Sequence, residues 1–547
     1  MHSLARELAE RISAGLQRKA ITKCSVWSES YRMLGGKDYP GKWTFRHHPW
    51  LLGMHDSDAE MNVGQKSAQM GYTETVLNRT FYKIDIERVD CLYVLPAKTP
   101  DASDFSAARF DAALELSPHL ARLFSDVKNV GHKRAGTTNL YIRGSKSRSG
   151  LKSVPVGYLV LDEVDEMEQD NIPLALERQS GQLTKQTWAI STPTIHNVGI
   201  NLLYQNTTQE HFYFVCPHCS KITELVFPEC LEVVGEHFNE DRVTESFLKC
   251  KECKTRLEHK EKESWLSTGR WIPSFDNRSA RGFYINQLYS PTVKPGDLAR
   301  SFLKAQFSPS EEQEFYNSKL GLEHVVDGAK ITDEHIAACT KGYKNKTIKK
   351  QAIITMGVDI GKWLHYEIDL WHVPHRITTD INFECIPQVI YIGKAISFTE
   401  IEILMREYRV TFCVADLMPE RRQVYDFANK FHGIVRGCFY GQGLQGKQVS
   451  VDKDEPKITV DRTSWLDLSM GRFRTNRIQI PLDTPEEYKV HLKNLVRVYE
   501  KDKEGNPVGR YVHTGEDHYA HARNYAEIAL QFGMSLNTVQ NITKSIV

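Results

Sequence analysis

The chain has 547 residues, of which 41% are hydrophobic and 25% are charged, and its formal net charge is +1. This length exceeds what one hydrophobic core supports, so two or three globular domains are expected. The near-zero net charge excludes a global basic field, so nucleic-acid binding must depend on local basic patches. No run of about 18 apolar residues predicts a membrane span, and no signal-peptide pattern opens the chain.

The predicted elements divide the chain into four regions. The first 40 residues predict a helical segment, because apolar residues recur at helical spacing from Leu4 to Leu16. Residues 41–340 alternate apolar strands with helical stretches, which predicts an α/β domain built on a parallel sheet. The lysine-rich residues 341–352 lack a periodic apolar face and predict a linker. Residues 353–547 predict a second α/β domain.

The segment Val63–Glu74 has the frame of a phosphate-binding loop with a displaced lysine. Gly71 stands in its usual position, but Tyr72 occupies the lysine position and Lys66 stands where the first glycine belongs. Such a loop needs one positive charge near the β- and γ-phosphates, and either end could supply it. The residues expected to bind ATP are Lys66, Ser67, Gly71, Tyr72 and Thr73.

Two later strands end in polar groups that suit nucleotide hydrolysis. The apolar strand Gly157–Glu163 ends in Asp162, which we expect to hold Mg²⁺, and in Glu163, which we expect to polarise the attacking water. Ser191–Thr194 ends another predicted strand, either as a hydroxyl-rich sensor of the γ-phosphate or as a plain turn. The order and spacing of the three motifs favour an ATPase.

A basic loop lies between the first two of these motifs. Arg143–Lys152 contains four basic side chains among glycines and serines, which suits contact with phosphates. Arg143 or Arg148 could act in trans as an arginine finger, and a solvated basic loop is the alternative.

Two CxxC pairs lie in a strand-rich insert at residues 211–260. Four thiolates at this spacing can close a tetrahedral structural Zn²⁺ site. His218 and Cys230 are possible substitutes, and a thiol cluster without metal is the alternative. The predicted ligands are Cys216, Cys219, Cys250 and Cys253. Eleven cysteines in a chain this long do not resemble a disulfide framework, so a reducing, cytoplasmic setting fits best.

Three acids in the C-terminal region predict a second chemistry. Asp359 and Asp416 each end an apolar strand, and Asp517 opens a helix on which His521 lies one turn further along. A strand acid, a second strand acid and a helix acid match the metal site of RNase H-like nucleases, in which carboxylates hold two Mg²⁺ or Mn²⁺ ions. His521 could position water or a metal, or lie on the helix face without a function. Two additional acidic candidates are Asp369 and Glu384.

These motifs resemble those of a known family, the large terminase subunits of tailed bacteriophages in the lambda-like branch. The displaced lysine is a trait of that branch. The fold that the resemblance implies is α/β throughout: an N-terminal P-loop (ASCE/RecA-like) ATPase domain with a small zinc-ribbon insert, followed by an RNase H-like nuclease domain. The segments that carry the resemblance are Lys66–Thr73, Leu161–Glu163, the two CxxC pairs, Phe315–Gly321, Gly357–Asp359 and Asp517–His518.

The resemblance implies a motor in the host cell cytoplasm that threads double-stranded DNA into an empty capsid and a nuclease that cuts concatemers. Expected partners are the small terminase subunit and the capsid portal, with a homo-oligomeric ring during packaging. Lys66 would take the phosphate-lysine role, Asp162 the metal role and Glu163 the base role. The nuclease carboxylates would be Asp359, Asp416 and Asp517.

Three other interpretations are weighed against this one. A DNA translocase or helicase-nuclease of a restriction or recombination system usually carries a second RecA-like lobe, and no such motif follows residue 260. A DDE recombinase with a zinc knuckle would instead join donor DNA ends. A non-enzymatic scaffold is disfavoured because both sets of acids are intact.

Overall fold

The computed structural model describes residue 5 and residues 21–36, 39–125, 127–152, 154–347, 353–374, 377, 381–441, 449–501 and 507–546. Within the predicted helical segment 1–40, residues 1–4, 6–20, 37 and 38 lie outside the described residues. The described part contains the helix Cys24–Tyr31 and the short strand Met33–Leu34. Contacts divide the chain into two compact units, Met1–His324 and Val325–Val547. Within the described ranges, every helix is too short or too polar to span a lipid bilayer.

The first unit consists of many short helices around one large sheet. Its strands are Met33–Leu34 (β1), Gly41–Lys42 (β2), Met61–Lys66 (β3), Cys91–Leu95 (β4), Val127–Asn129 (β5), His132–Ala135 (β6), Thr138–Gly144 (β7), Tyr158–Asp162 (β8), Gln186–Ser191 (β9), Glu210–Val215 (β10), Ile222–Thr223 (β11), Leu231–Glu232 (β12), Phe247–Lys249 (β13), Arg256–Leu257 (β14), Arg270–Ile272 (β15) and Arg281–Ile285 (β16). Its α-helices are Cys24–Tyr31, Trp50–His55, Tyr72–Tyr82, Ser103–Phe105, Ala112–Leu116, Pro118–Leu123, Arg148–Lys152, Ile172–Leu176, Gly199–Gln205, Lys262–Leu266, Pro295–Ala305 and Pro309–Glu314. Its π-helical turns are Lys83–Glu87, Lys98–Ala102, Ser106–Asp111 and Phe315–Leu320.

The large sheet has the strand order β11-β10-β16-β3-β9-β8-β4-β7-β6-β5, with β15 paired to β10. All strands from β10 to β7 in this order run parallel. The central strands β4, β8 and β9 are buried along their whole length, as expected for a parallel sheet covered on both faces. Since only β9 separates β3 from β8, the residues that end these two strands meet at one edge of the sheet.

Only the later part of the predicted insert 211–260 forms a separate small sheet, because β10 and β11 belong to the large one. β12, β13 and β14 pair antiparallel in that order, and none is longer than three residues. Strands this short contribute few ladder hydrogen bonds, so other interactions must hold the insert together.

The second unit is also α/β. Its strands are Thr340–Lys341 (β17), Ile353–Ile360 (β18), Leu364–His372 (β19), Ile386–Ala395 (β20), Phe412–Asp416 (β21), Val435–Tyr440 (β22), Val449–Val451 (β23), Lys457–Val460 (β24), Ile480–Pro481 (β25), Leu495–Lys501 (β26) and Pro507–His513 (β27). Its helices are Asp333–Cys339, Ile381–Glu384, Phe398–Glu407, Arg421–Lys430, Arg462–Arg474, Glu486–Asn494 and His518–Ile546.

Seven strands of this unit form one mixed sheet in the order β20-β19-β18-β21-β22-β24-β23. β18, β19 and β20 pair antiparallel, whereas β18, β21, β22 and β24 run parallel. The helix that begins at His518 crosses β18 at Gly357, where a Cβ atom would lie 1.9 Å from the carbonyl oxygen of Ala522. Only glycine permits this approach, which brings the start of the last helix to the end of the central strand.

The two units meet between residues 324 and 325, whereas the predicted boundary lies between residues 340 and 341. The helix Asp333–Cys339 packs into the second unit, where the Cys339 thiol donates a hydrogen bond to the Phe473 carbonyl. β17 then pairs with β25. In the predicted linker, the Tyr343 hydroxyl lies 2.8 Å from the carbonyl oxygens of both Val389 and Gln479. The described part of the linker, up to residue 347, is therefore packed structure.

Candidate functional site

Lys66 ends β3 and lies beside the acidic end of β8. Its Nζ is 3.1 Å from Glu163 Oε1, and the lysine side chain is almost fully buried while that of Glu163 is 42% exposed. Glu163 has a φ of 63°, a left-handed conformation that a non-glycine residue adopts only when its surroundings impose it. The predicted phosphate lysine and the predicted base therefore form an ion pair. Solvent reaches this pair from the side of Glu163.

The loop after Lys66 leads into a helix whose first turn is open for an anion. Gly71 has a φ of 83° and precedes the helix Tyr72–Tyr82. The first N–H groups of a helix lack partners within it, so they suit a phosphate. The buried Ser67 hydroxyl has no hydrogen-bond partner among the described residues, and Thr73 is half-buried.

Tyr72 does not present its side chain to this loop. It is 1% exposed, and its hydroxyl donates to the Phe283 carbonyl at 3.3 Å. Its ring packs against β3 so closely that a Cβ atom on Gly64 would lie 2.6 Å from it. Burial raises the pKa of the Tyr72 hydroxyl. Of the residues predicted to bind ATP, Tyr72 can therefore contribute only its backbone.

Asp162 lies beneath the ion pair at the end of β8. Tyr93 donates a hydrogen bond to its Oδ2 at 2.6 Å, and the nearby Thr73 side chain also favours the charged carboxylate, whereas no described donor meets the buried Oδ1 in full hydrogen-bond geometry. Burial first, and the negative charge of Glu163 second, raise the pKa of Asp162 to about 7. A buried carboxylate oxygen without a partner is suited to a cation, so the residues present fit the Mg²⁺ that accompanies a nucleotide.

The π-helical turn Phe315–Leu320 connects the loop with the hydroxyl-rich segment after β9. The Ala68 N–H donates to the Ser318 carbonyl at 2.8 Å. The Asn317 side chain donates to the Thr194 carbonyl at 3.0 Å. One turn therefore contacts both the phosphate-binding loop and the predicted sensor.

Gly321 ends this turn directly against the loop. Its φ is 67°, and a Cβ atom there would lie 2.6 Å from the Ser67 nitrogen. The Gln65 side chain donates to the Gly321 carbonyl at 3.0 Å. No larger residue fits this position without displacing the loop.

The two candidate arginines differ in their surroundings. Arg143 donates hydrogen bonds to the Gly131 and Ile142 carbonyls and lies over the Tyr141 ring, with 5.4 Å between its Cζ and the ring centre. Arg148 is exposed and makes no hydrogen bond or ion pair with any part of the chain that the structure describes. Arg148 is therefore the more available for contact in trans.

The four cysteines of the insert converge. Their Sγ atoms all lie within 4.8 Å of one another, and the Sγ atoms of Cys216 and Cys253 are 3.9 Å apart. The two proposed substitutes are not members of this cluster; His218 contacts the Arg256 carbonyl and Cys230 the Glu224 carbonyl. The residues present fit a four-sulfur Zn²⁺ site.

In the second unit, Asp359 is joined by two histidines that the sequence analysis does not assign to the site. Asp359, His365 and His518 each offer one ligand atom, and these atoms lie within 4.8 Å of one another. His518 Nδ1 is 2.8 Å from Asp359 Oδ2. The His365 and His518 rings lie nearly parallel, with 4.7 Å between their centres.

Asp416 ends the neighbouring parallel strand β21 and is electrostatically coupled to Asp359. Burial first, and the nearby Asp359 carboxylate second, raise the pKa of Asp416 to about 6. Its Oδ1 accepts a hydrogen bond from the Met418 N–H at 3.1 Å. Two of the three predicted carboxylates are thus close enough to influence each other.

Asp517 precedes the last helix and contacts His521. Although burial opposes ionisation, the hydrogen bond and charge of His521 lower the pKa of Asp517 to about 2. His521 Nε2 lies 3.3 Å from Asp517 Oδ2, and its Nδ1 lies 3.0 Å from the Tyr440 hydroxyl. Both ring nitrogens of His521 have partners, so it is placed to orient Asp517. Asp517 is not in the ligand cluster of Asp359.

Asp369 belongs to a different cluster. The expectation that it is an additional metal ligand of the nuclease site is therefore corrected. It is fully buried and pairs with Arg523, which also pairs with Glu367 and Glu527. Arg472 donates to Glu527 as well, at 2.6 Å. Asp369 is therefore part of a buried ion network. The other additional candidate, Glu384, ends the short helix after residue 380.

Two family models match the chain. The one described as phage terminase large subunit gpA, ATPase domain, matches residues 37–271, and the one described as terminase large subunit gpA, endonuclease domain, matches residues 280–375. Together they span more than half of the chain. Asp359 and His365 lie within the second match, whereas Asp416 and Asp517 lie beyond its end. No curated protein matches the chain.

Solved structures of phage terminases are also similar. The large terminase of HK97 bacteriophage is 12% identical, with a TM-score of 0.48, over 92% of this chain and 98% of that chain. The large terminase ATPase domain of Thermus phage P74-26 is 12% identical, with a TM-score of 0.31, over 51% of this chain and 97% of that chain. The family assignment depends on the two family models. This chain belongs to the gpA family of phage terminase large subunits and is a DNA-packaging ATPase with an endonuclease domain.

Proposed function

We propose that ATP is hydrolysed at the edge of the large sheet where β3 and β8 end. The observation that carries this proposal is the Lys66–Glu163 ion pair above the buried, partly unpaired Asp162 carboxylate. Lys66 and the first N–H groups of the helix after Gly71 would hold the phosphates, and Asp162 would hold Mg²⁺, which supplies positive charge against the developing negative charge. Glu163 would exchange its contact with Lys66 for one with the attacking water.

The turn Phe315–Leu320 would transmit the state of this site. It is hydrogen-bonded to the phosphate-binding loop through Ser318 and to the segment after β9 through Asn317. A movement of either segment would strain the hydrogen bonds to the other. This arrangement supports a coupling of hydrolysis to translocation of double-stranded DNA.

The nuclease site would lie where β18 and β21 end, with Asp359, Asp416 and Asp517 as its carboxylates. Divalent ions at such a site supply a hydroxide nucleophile and stabilise the leaving oxygen. Asp359 and Asp416 would hold the metal, and His521 would orient Asp517 toward it through the 3.3 Å contact. The mixed sheet, with three antiparallel strands followed by parallel ones, supports the RNase H-like interpretation of this unit.

The four converging cysteines would bind a structural Zn²⁺ ion that stabilises the insert. β12, β13 and β14 are too short to define this region by themselves, and a closed four-sulfur site leaves no open position for catalysis. The metal would therefore contribute to folding of the insert.

The packaging complex would contain a homo-oligomeric ring of this chain, the small terminase subunit and the capsid portal in the host cytoplasm. The exposed Arg148 supports a ring, because an exposed cation that has no side-chain partner among the described residues can reach the nucleotide of a neighbouring copy. Packaging by mixtures of wild-type and Arg148→Ala chains would test this. We expect packaging activity to fall more steeply than the fraction of wild-type chains in the mixture. A fall in proportion to that fraction would contradict contact in trans.

The proposed function is tested with purified procapsids, ATP and concatemeric DNA. Lys66→Ala should abolish packaging and ATP turnover, whereas Asp359→Ala should abolish metal-dependent cleavage of plasmid and leave ATP turnover near normal. Lys185→Ala is the matched control, because Lys185 forms an ion pair with Glu60 in which both side chains are exposed. Cleavage by Asp359→Ala would overturn the nuclease assignment, and strand transfer of donor ends would favour a recombinase.

A further inference from the structure

The ligand cluster at Asp359 contains nitrogen as well as oxygen donors. His518 Nδ1 is 2.8 Å from Asp359 Oδ2, and a ligand atom of His365 lies within 4.8 Å of both. Two neighbouring ligands at about 2.1 Å from an octahedral ion are about 3 Å apart. The spacing of the first two atoms is therefore already that of two ligands of one ion.

The backbone holds these three side chains together. Asp359 and His365 are directly opposite each other in the antiparallel pair β18–β19, so their side chains project from the same face. His518 begins the helix that crosses this face at Gly357. Gly361 leaves room for the ring, because a Cβ atom there would lie 3.1 Å from His518 Cε1. The cluster thus depends on a strand register and a helix start, both of which are rigid features.

One ring nitrogen of His365 makes no hydrogen bond within the described part of the chain. The residue is 3% exposed, and its buried Nδ1 has no hydrogen-bond partner among the described residues. A buried polar atom without a hydrogen-bond partner destabilises the folded protein. An ion bound between His365, His518 and Asp359 would use one ring nitrogen of His365, and the buried Nδ1 has no competing partner among the described residues.

The donor set differs from the one that Mg²⁺ prefers. Mg²⁺ is held through oxygen atoms and retained waters, whereas imidazole suits later first-row ions. We propose that Asp359, His365 and His518 bind a first-row transition-metal ion in preference to Mg²⁺. This inference rests on the proposed nuclease site and specifies the class of metal that occupies its Asp359 side.

Pulsed electron paramagnetic resonance of Mn²⁺ bound to the full chain without nucleotide tests the proposal. Mn²⁺ is the probe because the thiolate cluster of the insert selects softer ions. It is also the weakest binder among the first-row ions, so retention of Mn²⁺ against Mg²⁺ is a strict test of the preference. We expect imidazole nitrogen coupling in the wild-type signal, and we expect bound Mn²⁺ to persist in equimolar Mg²⁺. Absence of nitrogen coupling, or displacement of Mn²⁺ by equimolar Mg²⁺, would overturn the proposal without any variant.

Two variants locate the nitrogen ligands. His365→Ala should remove one nitrogen coupling and weaken Mn²⁺ binding at least about 10-fold, the smaller loss seen when even a supporting group of a metal site is removed. His432→Ala is the matched control, because His432 is an exposed histidine of the same unit. Unchanged coupling and affinity in His365→Ala would overturn the assignment of His365.

The same samples separate this inference from the proposed function. Plasmid cleavage that Asp359→Ala abolishes, together with wild-type Mn²⁺ that shows no nitrogen coupling, would retain the nuclease site and overturn the mixed-donor site. Nitrogen coupling in a chain whose cleavage survives Asp359→Ala would overturn the nuclease assignment and support the metal site.

Discussion

The displaced lysine makes a prediction that distinguishes this loop from the usual one. Lys66→Ala removes the only lysine side chain that the structure places beside Glu163 in the described residues. Removing one positioned hydrogen-bond donor that stabilises the charge of the transition state lowers kcat by about 100- to 1000-fold. We therefore expect ATP turnover to fall by at least about 100-fold. Steady-state phosphate release measures kcat, and fluorescent-nucleotide binding shows whether affinity falls as well.

Restoring the usual position should not restore turnover. Tyr72 is fully buried against Gly64, so Tyr72→Lys removes a packed aromatic ring, at a cost of about 3–5 kcal/mol, and directs an ammonium group into the core. The double variant Lys66→Ala with Tyr72→Lys should therefore remain inactive. Tyr72→Phe is the control: it loses only the hydrogen bond to Phe283, worth about 1 kcal/mol, and should keep its turnover. Wild-type turnover in the double variant would refute the reasoning.

Three further predictions follow from features outside the nucleotide loop. Arg523→Met leaves Glu367 and Asp369 buried without their cation and should lower the free energy of unfolding of the second unit by about 3–5 kcal/mol in urea titrations. Adding Glu367→Gln and Asp369→Asn should recover much of this loss, and an equal loss in the triple variant would show that charge is not the cause. Cys250→Ser should abolish a Zn²⁺ content of about one ion per chain, measured by atomic emission, whereas Cys230→Ser should retain it; an unchanged metal content in Cys250→Ser would exclude the four-sulfur site. Asn317→Ala should slow DNA packaging more than ATP turnover, because it cuts the contact with Thr194 but leaves Lys66 in place, and the exposed Asn206→Ala should affect neither. Equal losses of packaging and turnover in Asn317→Ala would argue against a coupling role.

The sequence predicts which residues carry the chemistry more fully than it predicts where their side chains point. Spacing is enough to predict roles for Lys66, Asp162 and the four cysteines of the insert, because a phosphate loop, a strand-end acid and paired CxxC knuckles are local patterns. The direction of the Tyr72 side chain is not local, because it depends on Gly64 of the preceding strand. The presence of a residue in the loop motif therefore did not show that its side chain faces the ligand.

One of the two histidines at Asp359 can be placed from a local pattern in the sequence. A three-residue turn at residues 361–363 places Asp359 opposite His365, so the pairing follows from hairpin length. His518 could not be placed in this way, because its approach depends on how the last helix crosses Gly357. No local pattern marks the division between the two units either, because only tertiary contacts assign the helix Asp333–Cys339 to the second unit.

The burial of Tyr72 has a consequence for how the loop meets its ligand. In a loop whose lysine follows the glycine, that side chain must remain free to close on the phosphates. Here the residue in that position, Tyr72, packs against the sheet and fixes the loop to it. The Ser67 and Ala68 N–H groups also donate hydrogen bonds to the Ile285 and Ser318 carbonyls. The loop is therefore preorganised before nucleotide arrives, and little binding energy is spent on ordering it.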